Sequence, residues 1–372
     1  MTDWAPTTLD TGLTTDEEFK LMDRYKPVLY LNSREVYYPC SIDWLLSRST
    51  LVNFNTDNSQ DIYKDSPTNE DLYNIAKNDN FAEKTDGTLT LSWPSEIYTG
   101  QRPIKDVPIY AYIQKKDDKL YITYVFVFPF NGSYEILGIR SVGDHPGDLE
   151  HLTVELDANK NIQRVLFGAH GVLDANWVDV NEVEFDGGNP VAYIALNGHG
   201  LYSKAGVAFR LYGLGNDYLD KGVKWSPEVQ QIFKFGDVRF DPKTMGWTVF
   251  NGRFGGTKER GSGEGITSLS NKNWYRGVDL LDAGIFDPPR IYSSTYINFL
   301  VTLKNIVFYI CLYLLVLFIL ILVRKFLIKS ENGEPSPGAA IFQHVLALFI
   351  TFLLVFLVTS ILNEAILKAA PK

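Results

Sequence analysis

The sequence predicts a mainly β fold, in which a β-sandwich-like domain is followed by a C-terminal transmembrane helical hairpin. The composition is 14% aromatic and 45% hydrophobic, and it is rich in the Tyr, Phe and Gly residues that are typical of β structure. Short apolar runs separated by turn residues recur along most of the chain, and two long uncharged apolar stretches lie near its end. We therefore expect an N-terminal segment over residues 1–24, a β-rich domain over 25–296 and a membrane anchor over 297–372.

Two hairpins are the clearest elements of the β-rich domain. The runs 109–114 and 120–128 flank a polar turn, and the second run (LYITYVFVF) is apolar almost throughout. Such continuous apolarity is typical of a central strand that is buried on both faces. The runs 151–156 and 162–167 flank another polar turn and predict the second hairpin.

The two apolar stretches near the end, residues 305–323 and 339–362, each match the length of about 20 residues that a helix needs to cross a bilayer. They predict helices near 303–324 and 339–362, an integral membrane protein and a lipid bilayer as partner. The basic residues Arg324, Lys325 and Lys329 between them favour a cytosolic loop by the positive-inside tendency. Against this, the first 23 residues lack the apolar core of a signal peptide, and this favours a domain that faces the cytosol.

The net charge limits the classes of binding partner, and the cysteine content limits the disulfide bonds that the sequence predicts. The formal net charge of −9 argues against a nucleic-acid partner, because phosphate backbones are held by clustered Lys and Arg side chains. A cationic partner or a metal ion suits this charge better. Only two cysteines occur, Cys40 and Cys311, so the sequence predicts no disulfide framework.

Histidine is concentrated in one part of the sequence. Four of the five histidines, His145, His151, His170 and His199, fall within about fifty-five residues, and the first two bracket an acid-rich run (GDHPGDLEH). Imidazole and carboxylate groups together are the usual ingredients of a divalent-metal site or of an acid/base pair. Any chemistry is therefore expected here.

Strand geometry suggests how this site is built. In a strand, Asp148 and Glu150 point to the same face with about 7 Å between their Cα atoms, and the two carboxylates repel unless a positive group lies between them. If the second hairpin is symmetric about Asn159, residue 148 lies opposite His170, while His145 can fold back over the same face. The oxygen-rich set indicates Ca²⁺, Mg²⁺ or Mn²⁺.

We accordingly predict a divalent-cation site at His145, Asp148 and Glu150, with Asp144, His170 and His199 as possible additional ligands. The alternative is a hydrogen-bonded network at a sheet edge. His199 lies between two glycines, so it closes the cleft from another side or is a turn histidine.

The acid-rich run resembles the G-D-H-x-G-D-W-E-H signature of the vacuolar protein sorting-associated protein 62 family. Further segments agree in order with the family's elements: 25–30 with 38–44, 108–111 with 128–132, 169–171 with 177, and 190–193 with 198–202. The resemblance covers roughly residues 25 to 220, and it implies a role in membrane trafficking or membrane organisation.

A weaker likeness reaches the necrosis-inducing toxin-like proteins, whose G-H-R-H-D-W-E heptapeptide is followed by a strand and S-A-H-G-G. In those secreted β-sandwiches, the first histidine, the aspartate and the glutamate surround a divalent cation. Carried over by position, these residues are His145, Asp148 and Glu150. Leu149 replaces the tryptophan and a Pro-Gly pair replaces Arg-His, so the toxin's glycolipid recognition is not carried over.

Three functions compete at this point. The first is a membrane-anchored β-sandwich module with a divalent-cation site, which binds a lipid head group or a glycan in trafficking. The second is a structural subunit of a membrane-associated protein assembly, viral or organellar. The third is a metal-dependent hydrolase with His145 or His199 as general base. The enzyme is less favoured, because the sequence contains no P-loop, nucleophile elbow or zinc-helix motif.

Overall fold

The structure is a computed structural model that describes most of the first 255 residues and a few later ones. The described ranges are 11–54, 60–77, 89–136, 139–170, 175–210, 215–234, 236–250, 252–255, 266–267 and 291–292, with 299, 302–303, 306–308, 310–315 and 317–318. The chain divides into two compact units. The first comprises Met1–Ala208 and Asp217–Pro289, and the second comprises Phe209–Asn216 and Arg290–Lys372.

The first unit holds almost all of the described secondary structure. Its α-helices are α1 Thr15–Tyr25, α2 Ile42–Leu46, α3 Asn69–Lys77 and α4 Pro242–Met245. Its strands are β1 Val28–Leu31, β2 Thr50–Phe54, β3 Gln60–Asp65, β4 Leu89–Ser92, β5 Ile109–Lys116, β6 Lys119–Asn131, β7 Tyr134–Ile136, β8 Ile139–Val142, β9 His145–Leu156, β10 Ile162–Phe167, β11 Asn176–Asp179, β12 Phe185–Asp186, β13 Asn189–Ile194, β14 Leu201–Tyr202, β15 Gly206–Ala208, β16 Asp217–Leu219, β17 Val223–Trp225, β18 Val229–Gln231, β19 Arg253–Phe254 and β20 Ile266–Thr267. The second unit contains β21, Ile291–Tyr292. The prediction of a mainly β fold is therefore confirmed.

A six-stranded sheet forms the centre of the first unit, in the order β11-β10-β9-β6-β5-β18. β6 and β9 are its longest strands, with 13 and 12 residues, and they pair antiparallel from Leu120↔Leu156 to Asn131↔His145. Both predicted hairpins are present, as β5–β6 and β9–β10. The predicted central strand is β6.

Both faces of this sheet are covered. Tyr124, Phe126 and Phe128 of β6 belong to a core that also contains Leu29 of β1 and Trp225 of β17. These partners come from a smaller sheet of β12, β13, β1 and β17, with β14 beside β13.

On the opposite face, Val125 and Val127 of β6 enter a second core with Leu51 of β2, Leu91 of β4 and Phe254 of β19. A third sheet, in the order β20-β19-β4-β2-β3, supplies these partners. A strand that is buried on both faces reads as a near-continuous apolar run, and this explains the largely apolar sequence of β6.

The β9–β10 hairpin departs from the predicted symmetry. Ile162 lies opposite Leu156, as a hairpin centred on Asn159 requires, but an irregularity between Ile162 and Arg164 then shifts the register, so that Phe167 lies opposite Leu152. β10 ends at Phe167, and the backbone at His170 takes a φ of 48°. A bulge and a left-handed residue redirect a strand, and for this reason His170 does not lie across from Asp148.

The prediction of an integral membrane protein with a cytosol-facing domain is wrong. No helix within the part of the chain that the structure describes is long and apolar enough to cross a membrane. The second predicted helix, near 339–362, lies outside the described residues. The predicted bilayer partnership therefore has no support in the described residues.

Candidate functional site

A buried histidine–carboxylate pair lies at the start of β9. The side chain of His199 is fully buried, and its Nδ1 is 2.9 Å from Oδ2 of Asp148. Its Nε2 is 3.2 Å from the carbonyl oxygen of Tyr37 and 3.9 Å from Oε2 of Glu35. A carbonyl oxygen and a carboxylate both accept hydrogen bonds, so this pair of contacts suits an imidazolium ring that donates from both nitrogens.

The surroundings of His199 favour this charge. Burial lowers the pKa of His199, but the hydrogen bond to Asp148 and the charges of Glu35 and Asp148 outweigh burial, and the pKa is raised. The ring of Phe128 is stacked on the imidazole at 3.8 Å between centroids and 6° between planes, and an aromatic face also attracts a cation. The pair is therefore an internal salt bridge with Glu35 as a second counter-ion.

A tight turn after β13 brings His199 to this position. The backbone at Asn197 and His199 takes φ values of 66° and 54°, which are uncommon for residues with side chains. The N–H of Asn197 donates to Oε2 of Glu35 at 2.7 Å. Gly198 is required because a Cβ there would overlap the hydroxyl of Tyr134. The turn is thus fixed by the same carboxylate that faces the imidazole.

A second histidine–carboxylate pair is formed by His170 and Asp217. Nε2 of His170 is 2.7 Å from Oδ2 of Asp217, and the hydroxyl of Tyr202 donates to the same oxygen at 2.6 Å. Asp217 is fully buried, whereas His170 is half-buried. The hydroxyl of Tyr134 lies 3.5 Å from Nε2 of His170, and a Cβ on Gly198 would meet the same hydroxyl. Tyr134 therefore lies between the two histidine-bearing segments.

The acidic part of β9 is mostly buried. Asp148 lies opposite Phe128 and Glu150 opposite Phe126, and the two carboxylates are only 7% and 8% exposed. Strand alternation places both on the face of Leu152. His145, at the first position of β9, is half-buried, and its Nδ1 donates to the carbonyl oxygen of Gly147 at 2.9 Å.

Aromatic rings flank this acidic end. We define the aromatic rim as Tyr37, Tyr98 and Phe130. The rings of Tyr98 and Phe130 are stacked at 4.2 Å, and Tyr37 meets Phe130 at 4.9 Å. Burial and the charges of Glu35 and Asp144 raise the pKa of Tyr37, so its hydroxyl stays protonated and lies within the field of the acids.

The predicted ligands do not meet as one set. Asp148 and His199 are brought together, but His170 is hydrogen-bonded to Asp217, and His145 is hydrogen-bonded to a backbone carbonyl. In the described ranges, no three His, Cys, Asp or Glu side chains are grouped so that they could hold a metal ion. The predicted cation at His145, Asp148 and Glu150 therefore stays a prediction.

Sequence reasoning missed three residues of the site. Glu35, Asp217 and Tyr202 lie in segments far from the acid-rich run, and only Tyr202 belongs to a segment that agrees with the family, 198–202. Only the tertiary fold brings them to the histidines. The glycines around His199 were the one available signal, because they indicate a close backbone approach.

Comparison with known proteins yields one family. The sequence matches the family model of vacuolar protein sorting-associated protein 62 over residues 13–233. No curated protein matches the sequence.

Solved structures also match this chain. NLPPya in complex with mannosamine is 14% identical with a TM-score of 0.38, and the match covers 73% of this chain and 92% of that chain. NLPPya in complex with glucosamine is 13% identical with a TM-score of 0.36, covering 73% and 92%. Necrosis and Ethylene inducing Protein 2, from the causal agent of cocoa's Witches Broom disease, is 13% identical with a TM-score of 0.33, covering 72% and 91%. At these values the likeness assigns neither a site nor a ligand to this chain.

Proposed function

Because the chain belongs to the vacuolar protein sorting-associated protein 62 family, whose model matches more than half of its length, we propose that it is a binding module that takes a glycan at the acidic end of β9. One observation carries the proposal: half-buried polar side chains and the aromatic rim meet at this end. The polar side chains are Asp144, His145, Tyr134 and His170.

The chemistry of these groups suits a sugar. A sugar ring has apolar C–H faces that pack on aromatic rings, and Tyr37 and Tyr98 of the rim are half-buried and keep some exposed surface. Sugar hydroxyls donate to carboxylates, and the ammonium group of a hexosamine adds a charge-assisted hydrogen bond. Asp144 is the half-buried carboxylate of this end. A hexosamine is therefore the first ligand class to test.

The buried Asp148–His199 pair supports the proposed binding site. Asp148, on β9, and Glu35, after β1, both face His199 in the turn after β13. The imidazolium thus ties three chain segments together, and binding sites need such supporting contacts to hold their outer side chains in place.

Calorimetric titration tests the proposal. Glucosamine and mannosamine, the sugars bound by NLPPya, are titrated into the full chain beside glucose, which lacks the ammonium group. We expect saturable binding of the amino sugars and at least tenfold weaker binding in Asp144→Asn, a loss of about 1.4 kcal/mol.

Asp117→Asn is the matched control. Asp117 lies in the β5–β6 turn, at the opposite end of β6 from Asn131, so this variant removes the same charge far from the site. Equal affinities of both variants, or no binding by the folded chain, would contradict the proposal.

A structural subunit is the second candidate, and one observation favours it. Asp148 and His199 bind each other in the protein interior, since His199 is fully buried and Asp148 is 7% exposed. A site that is satisfied by its own side chains suits a scaffold in a protein assembly. A folded chain that binds no sugar but elutes as a stable oligomer would favour this candidate.

A further inference from the structure

Gly255, which directly follows β19, touches the start of β9. Its N–H donates to the carbonyl oxygen of Leu91 at 2.7 Å, so it continues the pairing of β19 with β4. A Cβ at Gly255 would lie 2.6 Å from the carbonyl oxygen of Pro146. We propose that Gly255 is a positioning residue, which holds Asp144 and His145 in place at the acidic end of β9. The inference rests on the proposed glycan site, because it gives these two side chains their role in binding.

Two backbones cross here at a pair of glycines. On the side of β9, a Cβ at Gly147 would lie 2.4 Å from the carbonyl oxygen of Phe254, and real Cβ atoms essentially never approach another atom within 3.0 Å. Gly147 and Gly255 both have a φ of 77°, which residues with side chains rarely adopt. We define the glycine crossing as Pro146, Gly147, Phe254 and Gly255. Neither backbone can carry a side chain here without displacing the other.

The glycine crossing fixes one end of the segment that carries the polar groups. The carbonyl oxygen of Gly147 accepts a hydrogen bond from Nδ1 of His145 at 2.9 Å. At the other end, Nδ2 of Asn131 donates to the carbonyl oxygen of Gly143 at 3.0 Å. Asp144 and His145 lie between these two fixed points, so a displacement at the crossing is passed on to both.

The core side of the crossing resists displacement. Phe254 is 1% exposed and Trp93 is 6% exposed, and Nε1 of Trp93 donates to the carbonyl oxygen of Pro129 at 2.9 Å. Side chains in a close-packed core have little room to move. Asp144 and His145 are half-buried, so a group added at the crossing should displace their segment rather than the core.

The variant Gly255→Ala tests the inference in the full chain. Gly255 has no side chain with which to contact a ligand, so its effect on binding passes through the backbone of β9. We expect the folded variant to bind glucosamine at least tenfold more weakly than the native chain in a calorimeter. Gly187→Ala is the matched control, because Gly187 also has a positive φ, 61°, but a Cβ there would meet nothing within 4 Å.

A second readout needs no sugar. Diethyl pyrocarbonate modifies accessible imidazole rings, and peptide mass spectrometry follows each histidine separately. In Gly255→Ala, the displaced carbonyl of Gly147 should release the ring of His145, which should react at least three times faster than in the native chain at pH 7. His170 should keep its native rate, because Asp217 holds it. The control Gly187→Ala should leave both rates unchanged.

The two readouts separate this inference from the glycan proposal. A native chain that binds no glucosamine contradicts the glycan proposal, and the labelling of His145 then decides the inference alone. A native rate at His145 in folded Gly255→Ala, or the same increase in Gly187→Ala, would overturn it.

If Gly255→Ala does not fold, Trp93→Phe replaces it. This variant removes the hydrogen bond to Pro129 and the part of the ring that packs on Gly147, since a Cβ at Gly147 would lie 3.2 Å from Cη2 of Trp93. The rate at His145 should then rise at least twofold. An unchanged rate would overturn the inference.

Discussion

At the scale of single residues, the charge of His199 links stability to pH. Its folded-state pKa is raised by Asp148 and Glu35 despite the opposing effect of burial, whereas in the unfolded chain the pKa is about 6.5. A group with a raised folded pKa contributes its full stabilisation below the unfolded pKa and loses it as the pH rises through the folded pKa. The free energy of unfolding should therefore fall as the pH rises from about 6.5 through the raised value.

Denaturant unfolding of the chelator-treated chain at several pH values measures this fall. In His199→Gln the pH dependence in that window should become smaller, because the titrating group is gone. The variant should also lose about 3–5 kcal/mol of stability at pH 6, the usual cost of removing one member of a buried charged pair. A variant with the native pH dependence would show that another group is responsible.

Gly198 gives a second prediction at this scale. A Cβ at this position would overlap the hydroxyl of Tyr134 and lie 2.7 Å from Cζ. Gly198→Ala should therefore cost about 1–3 kcal/mol of unfolding free energy. Combining it with Tyr134→Phe removes the oxygen and should restore part of the loss, although the contact with Cζ remains. Strictly additive losses in this double-mutant cycle would show that the two side chains do not meet.

At the scale of elements, calorimetric titration tests the prediction of a divalent-cation site on β9. We expect saturable binding when Ca²⁺, Mg²⁺ or Mn²⁺ is titrated into the full chain in a calorimeter, because Asp148 and Glu150 bring two carboxylates to one face of the strand. To bind the ion, Asp148 must give up its hydrogen bond to His199. Glu150→Gln keeps the shape of the side chain and should weaken binding at least tenfold, whereas the distant Asp117→Asn should not. Absence of a binding isotherm in the folded chain would rule the cation out.

Elements also show where sequence patterns succeed. The apolar runs and polar turns predict β5, β6, β9 and β10 because the two hairpins are local: β5 pairs with β6, and β9 pairs with β10. The pairing of β1 with β13 joins distant segments, and no local pattern encodes it. The register of β9 with β10 lies between these cases, because a single irregularity near Ile162 overturns a symmetry that the turn itself obeys.

At the scale of the whole molecule, the sequence predicts the mainly β fold and the region of the site, but not the partners within the site. Asp148 and His199 were both candidates, and the structure brings them together as a pair. Glu35 and Asp217 could not be found, since an isolated acid in sequence has no partner until the chain folds. The membrane prediction is contradicted, because no helix among the described residues is long and apolar enough to cross a bilayer.

Because β6 is buried on both faces, single-residue insertions and deletions within this strand should be disfavoured. Adjacent residues of this strand belong to different cores, with Phe126 in one and Val127 in the other. Deleting or inserting one codon within it would send every following side chain to the wrong core at once, exchanging Phe and Tyr rings for the smaller Val side chains in each. Divergence along this strand should thus proceed by substitution, with changes of length confined to turns such as the one that carries Asp117.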